Sequence, residues 1–315
     1  MKLSKTIEGF MLYKSGENLA KTTLRAYQWT YERFMIWFGD DLEIESITTV
    51  DILKFLDYMK NEYQPKRLNG DEARLSSQSI RHIWTAISSL YSWASPALDI
   101  PNQVRGKVPR PKAHSAERVP FTENELKALF KHVMPKRAKR PRSGLEYKLA
   151  LRDRAILAIL LDTGIRNQEL CDVKIADIHL VSGRVKVFGK GAKRRYVQLG
   201  EKAKSFVWQY LAERDDGDNP KATLISTHIG EKMNRRWLSR HIAQLGARAG
   251  ISECYPHKFR YTFAIQYLRN GGDVFTLQAL LGHSSLKMVQ HYAKIAGTDV
   301  ERMHRIASPL DNFFK

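Results

Sequence analysis

Between residues 22 and 38, apolar side chains recur at Leu24, Tyr27, Trp29, Tyr31, Phe34, Met35 and Phe38, and Gly39 closes the run. A spacing that alternates between three and four positions is the period of an α-helix with one face turned to a core. The pattern returns twice. Thr49-Val50-Asp51 offers an N-cap ahead of Ile52, Phe55, Leu56 and Met59, and residues 76–93 carry Ile80, Ile83, Trp84, Ile87, Leu90 and Tyr91 up to a predicted stop before Pro96. Residues 1–100 are therefore expected to form a bundle of about four helices with short connections. The aromatic residues on these stripes are read as core, not as platforms for stacked bases.

A chain of 315 residues has room for a second domain with its own core. Charge divides the chain in the same way. Residues 1–100 hold 12 Lys plus Arg against 13 Asp plus Glu, and the remainder holds 40 against 20, so the net charge of +19 lies wholly after residue 100. Such an excess favours a polyanion, either nucleic acid or an anionic membrane surface. No apolar run approaches the roughly 20 residues of a membrane span, and no signal-peptide h-region opens the chain. Nucleic acid is therefore the expected partner, with no membrane, and the cytoplasm is the expected compartment. Cys171 and Cys254 lack C-x-x-C spacing and an obvious His partner. They are read as buried thiols, and neither a disulfide nor a metal site is expected.

Local basic patches are the candidates for nucleic-acid contact. In the first hundred residues these are Lys21, Arg25, Arg74 and Arg81, near helix starts. Residues 101–120 form a proline-rich linker with Arg105, Lys107, Arg110 and Lys112, suited to cross a phosphate backbone as an extended strap. The second domain then opens at Thr122-Glu123-Asn124-Glu125, a capped helix start running to about Met134. A basic loop at 135–143 and an apolar helix at 147–161 follow. Residues 183–199 alternate as a β-hairpin around Gly189-Lys190-Gly191, and 223–227 reads as a short strand. A helix over 234–249 presents Arg235, Arg236 and Arg240, as helices that lie in or across a duplex groove do. In the tail, 298–315, the apolar residues Val300, Met303, Ile306, Leu310, Phe313 and Phe314 need a surface to bury on, either their own domain or a neighbouring copy.

The chemistry-bearing residues concentrate near the end. His257 and Arg260 lie one helical turn apart behind Pro256, so both reach the same point in space, and His283 and Tyr292 follow. Arginine offers a planar fork of donors to phosphate oxygens, and histidine exchanges a proton near neutral pH. A phenol, with an unperturbed pKa of about 10, becomes a nucleophile only with neighbouring cations and a base. Earlier in the chain, Gly164 permits a sharp turn into a helix opened by Arg166, with Glu169 one turn on.

Taken in order, TGIRNQEL, GKGAKRR, HKFRYTFA and LGHSSLKMVQHY resemble the tyrosine recombinase, or phage integrase, family. The likeness covers most of the chain and is to the simpler, two-domain Xer/Cre-like type. It implies a mainly α fold with a small antiparallel β-sheet (α+β). A helical, SAM-like core-binding domain would occupy 1–100, the linker 101–120 and a catalytic domain 121–297, with the tail at 298–315 shared between protomers. It also implies that Arg166 and Arg260 clamp the scissile phosphate together with His283. Lys190 would protonate the leaving 5′-oxygen, His257 would take the proton of the nucleophile Tyr292, and Glu169 would support Arg166. No cofactor is implied. Double-stranded DNA is the implied substrate, in a homotetramer that a related recombinase or accessory protein could join. Phe259 stands where leucine is usual and Tyr261 where histidine is frequent, and neither change removes a group the chemistry needs. Competing readings are a type IB topoisomerase, a DNA-binding protein of this fold without catalysis, and an RNA-binding protein, the last favoured by charge alone.

Overall fold

The computed structural model describes residues 1–67, 72–113, 118–134, 144–189, 194–283, 285–297 and 300–314, with 300–303 by backbone alone. It divides into two compact units, Met1–Glu117 and Arg118–Lys315.

The first unit is built on α1 (Leu3–Gly16), α2 (Lys21–Phe38), α3 (Thr49–Asn61) and α4 (Ser77–Leu98). Each apolar stripe read above points inward, burying Phe34, Phe55, Met59, Ile83, Ile87 and Leu90. Phe34 and Phe55 meet edge to face at 5.1 Å, a favoured aromatic geometry. The start of α3 lies one residue earlier than its sequence suggested. Thr48 and Asp51 form a reciprocal capping box there, satisfying two otherwise unpaired backbone donors.

Two expectations for this unit are corrected. The helix predicted to stop before Pro96 continues through it to Leu98. In a last turn proline removes only one ladder bond, and the chain then leaves the helix at Asp99, whose positive φ of 53° lets its N–H reach Ser95. The segment from Pro101 is not an extended strap over its first part. Val104 and Val108 are buried in the bundle, Trp84 Nε1 donates to the Val108 carbonyl at 3.3 Å, and Asn102 accepts from the N–H groups of Val104 and Arg105. Two valines four positions apart on a turn were enough to anchor a stretch whose composition reads as linker.

The second unit centres on α6 (Gly144–Thr163), in which every residue from Leu151 to Leu160 is buried. Around it lie α5 (Glu123–His132), α7 (Asn167–Asp172), α8 (Glu201–Ala212), α9 (Arg235–Arg248) and α10 (Pro256–Arg269). The hairpin read at 183–199 is present as β2 (Arg184–Phe188) paired antiparallel with β3 (Arg194–Gln198), with Val185 opposite Val197. A two-residue strand, β1 (Ile178–His179), completes the sheet in the order β1-β2-β3. The expected strand at 223–227 appears only as isolated bridges from Lys174 to Thr223 and from Ser226 to Lys232. After α11 (Val274–Leu281) and α12 (Lys287–Ala296), the chain ends in α13 (Val300–Ala307) and α14 (Pro309–Phe313). Leu310, Phe313 and Phe314 remain exposed. Cys171 and Cys254 are buried free thiols, and burial pushes each up to about 11. Among the described residues, no helix is long and apolar enough to cross a membrane. The expected basic loop at 135–143 lies outside the described residues.

Candidate active site

Three arginines converge on the C-terminal end of α11. Its last carbonyls have no partner within the helix and carry the negative end of its dipole, so they attract cations. Arg195 Nε donates to Leu280 O at 2.8 Å and Arg260 Nη2 to Leu281 O at 2.7 Å, while Arg166 Nη2 approaches Gly282 O at 3.5 Å. Three successive carbonyls thus hold three guanidiniums that would otherwise repel one another.

Two glycines make this convergence possible. Gly164, between α6 and α7, has φ +59°, and a Cβ there would lie 2.4 Å from the Phe263 ring. Its carbonyl accepts from Arg260 Nη1 at 2.6 Å, and its turn delivers Arg166 to the N-cap of α7. Gly282 caps α11 with φ +63°, and a Cβ there would press on the Arg195 side chain at 3.1 Å. Gly164 therefore requires the left-handed conformation and the missing side chain together, and Gly282 the left-handed conformation with Arg195 packed closely against it.

Glu169 is the counter-charge. Its carboxylate accepts from Arg166 N at 2.7 Å and Arg166 Nη1 at 2.9 Å, and from Arg195 Nη1 and Nη2 at 2.8 and 2.7 Å. Burial would raise its pKa, but the hydrogen bonds and charge of Arg195, with those of Arg166, bring it down to about 2. Arg260 is 4% exposed; burial, then its neighbour Arg166, bring its pKa down to about 10, which leaves it charged at neutral pH.

The structure gives His283 a defined tautomer. Arg260 Nη2 lies 2.9 Å from His283 Nε2, and since a guanidinium only donates, Nε2 accepts and the proton sits on Nδ1. Burial first, then Arg260, Arg166 and Arg195, lower its pKa to about 4. It therefore meets an anion as a neutral donor, through an Nδ1–H that is buried and has no partner among the described residues. The Tyr292 ring, on α12, lies 6.1 Å from the His283 ring at 16° between planes, with Tyr261 edge-on to it at 5.6 Å. His257, in the first turn of α10, stays in contact with solvent. Partial burial, then Arg260, Arg118, Arg166 and Arg235, lower its pKa, so at neutral pH it is a base ready to accept a proton.

Arg166, Glu169, His257, Arg260, His283 and Tyr292 are thus brought into one neighbourhood. Lys190 lies outside the described residues. Sequence reasoning missed Arg195. The signal was present, because period-2 alternation in β3 puts Arg195 on the same inward face as Val197, and an arginine at an inward position needs a buried acid. Phe259 is core, 4.7 Å from the Phe121 ring.

The candidate contact residues occupy two separate settings. Arg235, Arg236 and Arg240 are exposed on α9, which is tied to α7 where Asn167 Nδ2 donates to Arg235 O at 3.0 Å and Ser239 Oγ at 2.7 Å. In the first unit, Arg81 and Arg110 line a cavity of about 490 Å³ with Thr22, Thr23, Gln78 and His82. Lys21, Arg25, Arg74, Arg105, Lys107 and Lys112 are exposed.

Residues 120–298 match the phage integrase family, and residues 7–96 match the phage integrase N-terminal SAM-like domain. The chain belongs to the phage integrase family. Tyrosine recombinase XerC of Pelobacter propionicus is 31% identical over 93% of this chain and 92% of its own length. Tyrosine recombinase XerD of Oceanobacillus iheyensis is 26% identical over 98% of this chain and 99% of its own. Among solved structures, XerA recombinase is 26% identical with a TM-score of 0.51, covering 98% of this chain and 99% of that one. The Tn1549 transposon integrase, solved with transposon right end DNA, shares the fold with a TM-score of 0.73 at 15% identity, over 93% of this chain and 94% of that one.

Proposed function

We propose that this chain is a site-specific recombinase of double-stranded DNA that works through a 3′-phosphotyrosine. The observation that carries the reading is the pairing of a buried, charged Arg260 with Arg166 beside the Tyr292 ring. Two guanidinium forks can receive the non-bridging oxygens of a phosphodiester, and the Nδ1–H of neutral His283 adds a hydrogen bond. Tyr292 Oη forms a bond to phosphorus while the bond from phosphorus to the 5′-oxygen breaks. The phenolic proton passes to His257, held neutral by partial burial and then by its cationic surroundings, and the 5′-oxygen takes a proton from Lys190. One phosphoester replaces another, so a different 5′-hydroxyl can reverse the step without ATP. The guanidiniums supply the charge stabilisation that a bound metal supplies in other phosphoryl-transfer sites.

The same reading assigns the helical unit, with the basic residues Arg105, Lys107, Arg110 and Lys112 that follow its last helix, to DNA binding. It assigns the tail from 298 to contact between protomers in a tetramer, with a cytoplasmic location. Relatives solved on DNA, including a lambda integrase tetramer on a Holliday junction, support that assembly. The catalytically silent and topoisomerase readings have no observation of their own in their favour. The test is incubation, without metal or ATP, with a pool of nicked duplexes carrying a randomised core. A covalent adduct through a 3′-phosphate, stable to denaturation, is expected, whereas attachment through a 5′-phosphate or a need for divalent metal would contradict the proposal.

A further inference from the structure

Arg195 takes no part in the chemistry just described, yet it makes as many charged contacts as either clamp arginine. Its guanidinium is bidentate to Glu169, at 2.8 and 2.7 Å, and its Nε bonds Leu280 O at 2.8 Å. It is largely buried, with its side chain 12% exposed. One residue of β3 thereby ties together α7, which Arg166 caps, and the end of α11, which precedes His283.

The charge count gives Arg195 a second consequence. Arg166 and Glu169 alone would form a neutral pair, closed at 2.9 Å. An arginine so paired has little attraction left for a phosphate. With Arg195 also on Glu169, the three groups carry a net positive charge, and the least buried of them is Arg166, at 36%. The excess charge therefore sits on the arginine that solvent, or a phosphate, can reach. Bidentate geometry also fixes the carboxylate plane, and with it the direction in which the Arg166 fork opens.

We infer that Arg195 is a positioning residue for phosphoryl transfer, which holds Glu169 and the α11 terminus in place and offsets the Glu169 charge so that Arg166 remains free to bind the scissile phosphate. This rests on the recombinase reading above. It assigns Arg195, unlike the exposed Arg194 beside it, to the assembly of the site, whereas a solubilising role would leave Arg195 facing water.

The test compares wild type with Arg195→Gln, Arg195→Lys and the double variant Arg195→Gln/Glu169→Gln on the nicked-duplex pool, scoring covalent adduct formation at saturating protein together with DNA affinity. Arg195→Gln is expected to slow the adduct about 100-fold while leaving Kd within about threefold, the scale seen when a transition-state donor is lost. Arg195→Lys keeps the charge and one hydrogen bond, so it should retain all but about tenfold of the wild-type rate. The double variant removes the carboxylate that would sequester Arg166, and it should recover about tenfold over Arg195→Gln, a coupling expected of residues in direct contact. Its neutral amide pair also guards against misfolding. A purely structural role would make the double variant at least as slow as the single one, and that result, or an Arg195→Gln protein as fast as wild type, would overturn the inference. A wild type that forms no adduct at all would instead overturn the recombinase reading, and this inference with it.

Discussion

In the N-terminal unit, the buried polar groups among the described residues are the hydroxyls of Thr6 and Thr30 and the phenols of Tyr31 and Tyr91, whereas the C-terminal unit buries Arg152, Asp153, Arg154, Glu169, Lys258, Arg260 and His283. The two threonines each satisfy themselves within their own helix, bonding the carbonyl four residues back at 3.1 Å. Nothing in that core depends on charge. The second unit buries ionised groups, which cost several kcal/mol each unless paired and hydrogen-bonded. Arg152 pairs with Asp153 at 2.9 Å and Lys258 with Glu125 at 3.4 Å, whereas Arg166 and Arg195 share the one carboxylate of Glu169 and Arg260 rests on backbone carbonyls, so that cluster keeps a net positive charge. The first unit thus holds together without buried charge, and the second keeps an electrostatic strain that chemistry can use.

Arg260→Met should give the largest separation between the two. Adduct formation should fall about a thousandfold, as when a transition-state donor is lost from a water-poor site. The carbonyls of Gly164 and Leu281 would also lose their donors, for a further stability loss of about 1–3 kcal/mol. Single-turnover cleavage and urea titration would measure the two effects, and a variant of normal rate would place the phosphate elsewhere.

Acid should act on the second unit before the first. Glu169 has a folded pKa of about 2 against an ordinary 4.5, so its stabilisation is present above the ordinary value and is lost as pH falls through the folded one. His283, at about 4 against 6.5, resists the proton that the unfolded chain accepts, so stability again declines as pH falls from 6.5 toward 4. Each effect is on the order of 3 kcal/mol by linkage. The buried titrating groups of the first unit, Tyr31 and Tyr91, are phenols shifted upward by burial, and they do not respond to acid. Hydrogen exchange resolved by peptide should show protection lost in α7 and α11 before α3 and α4 as pH drops. Simultaneous loss would remove the distinction.

The smallest effect concerns binding by the first unit. Arg81→Ala and Arg110→Ala should each weaken DNA binding and lower the slope of log Kd against log salt by about 1, if each side chain neutralises one phosphate. Unchanged slopes would leave the cavity they line without a role in DNA contact.

The helices and the chain of motifs were legible because both are local. Apolar residues at a 3.6 period announce a buried face, and His257 and Arg260 share a helix turn whatever surrounds them. What stayed hidden was non-local or too small to carry a pattern. Arg195 meets Glu169 only because the hairpin folds back 26 residues later, and β1 is two residues long. Val104 and Val108 look solitary until the bundle receives them. The neutral state of His283 depends on its burial and then on Arg260, Arg166 and Arg195 from different parts of the unit, which no local reading of LGHSSLKMVQHY contains.

The most direct test sets wild type beside Tyr292→Phe on duplexes recovered from the nicked pool, on a denaturing gel without metal or ATP. Wild type should carry a strand through a 3′-phosphate. Tyr292→Phe should bind the same duplex within about threefold and carry none, because only one hydroxyl is lost. An adduct that persists in Tyr292→Phe would contradict the account at its centre, since the nucleophile would then be another residue and the clamp built around Arg166 and Arg260 would serve a different bond.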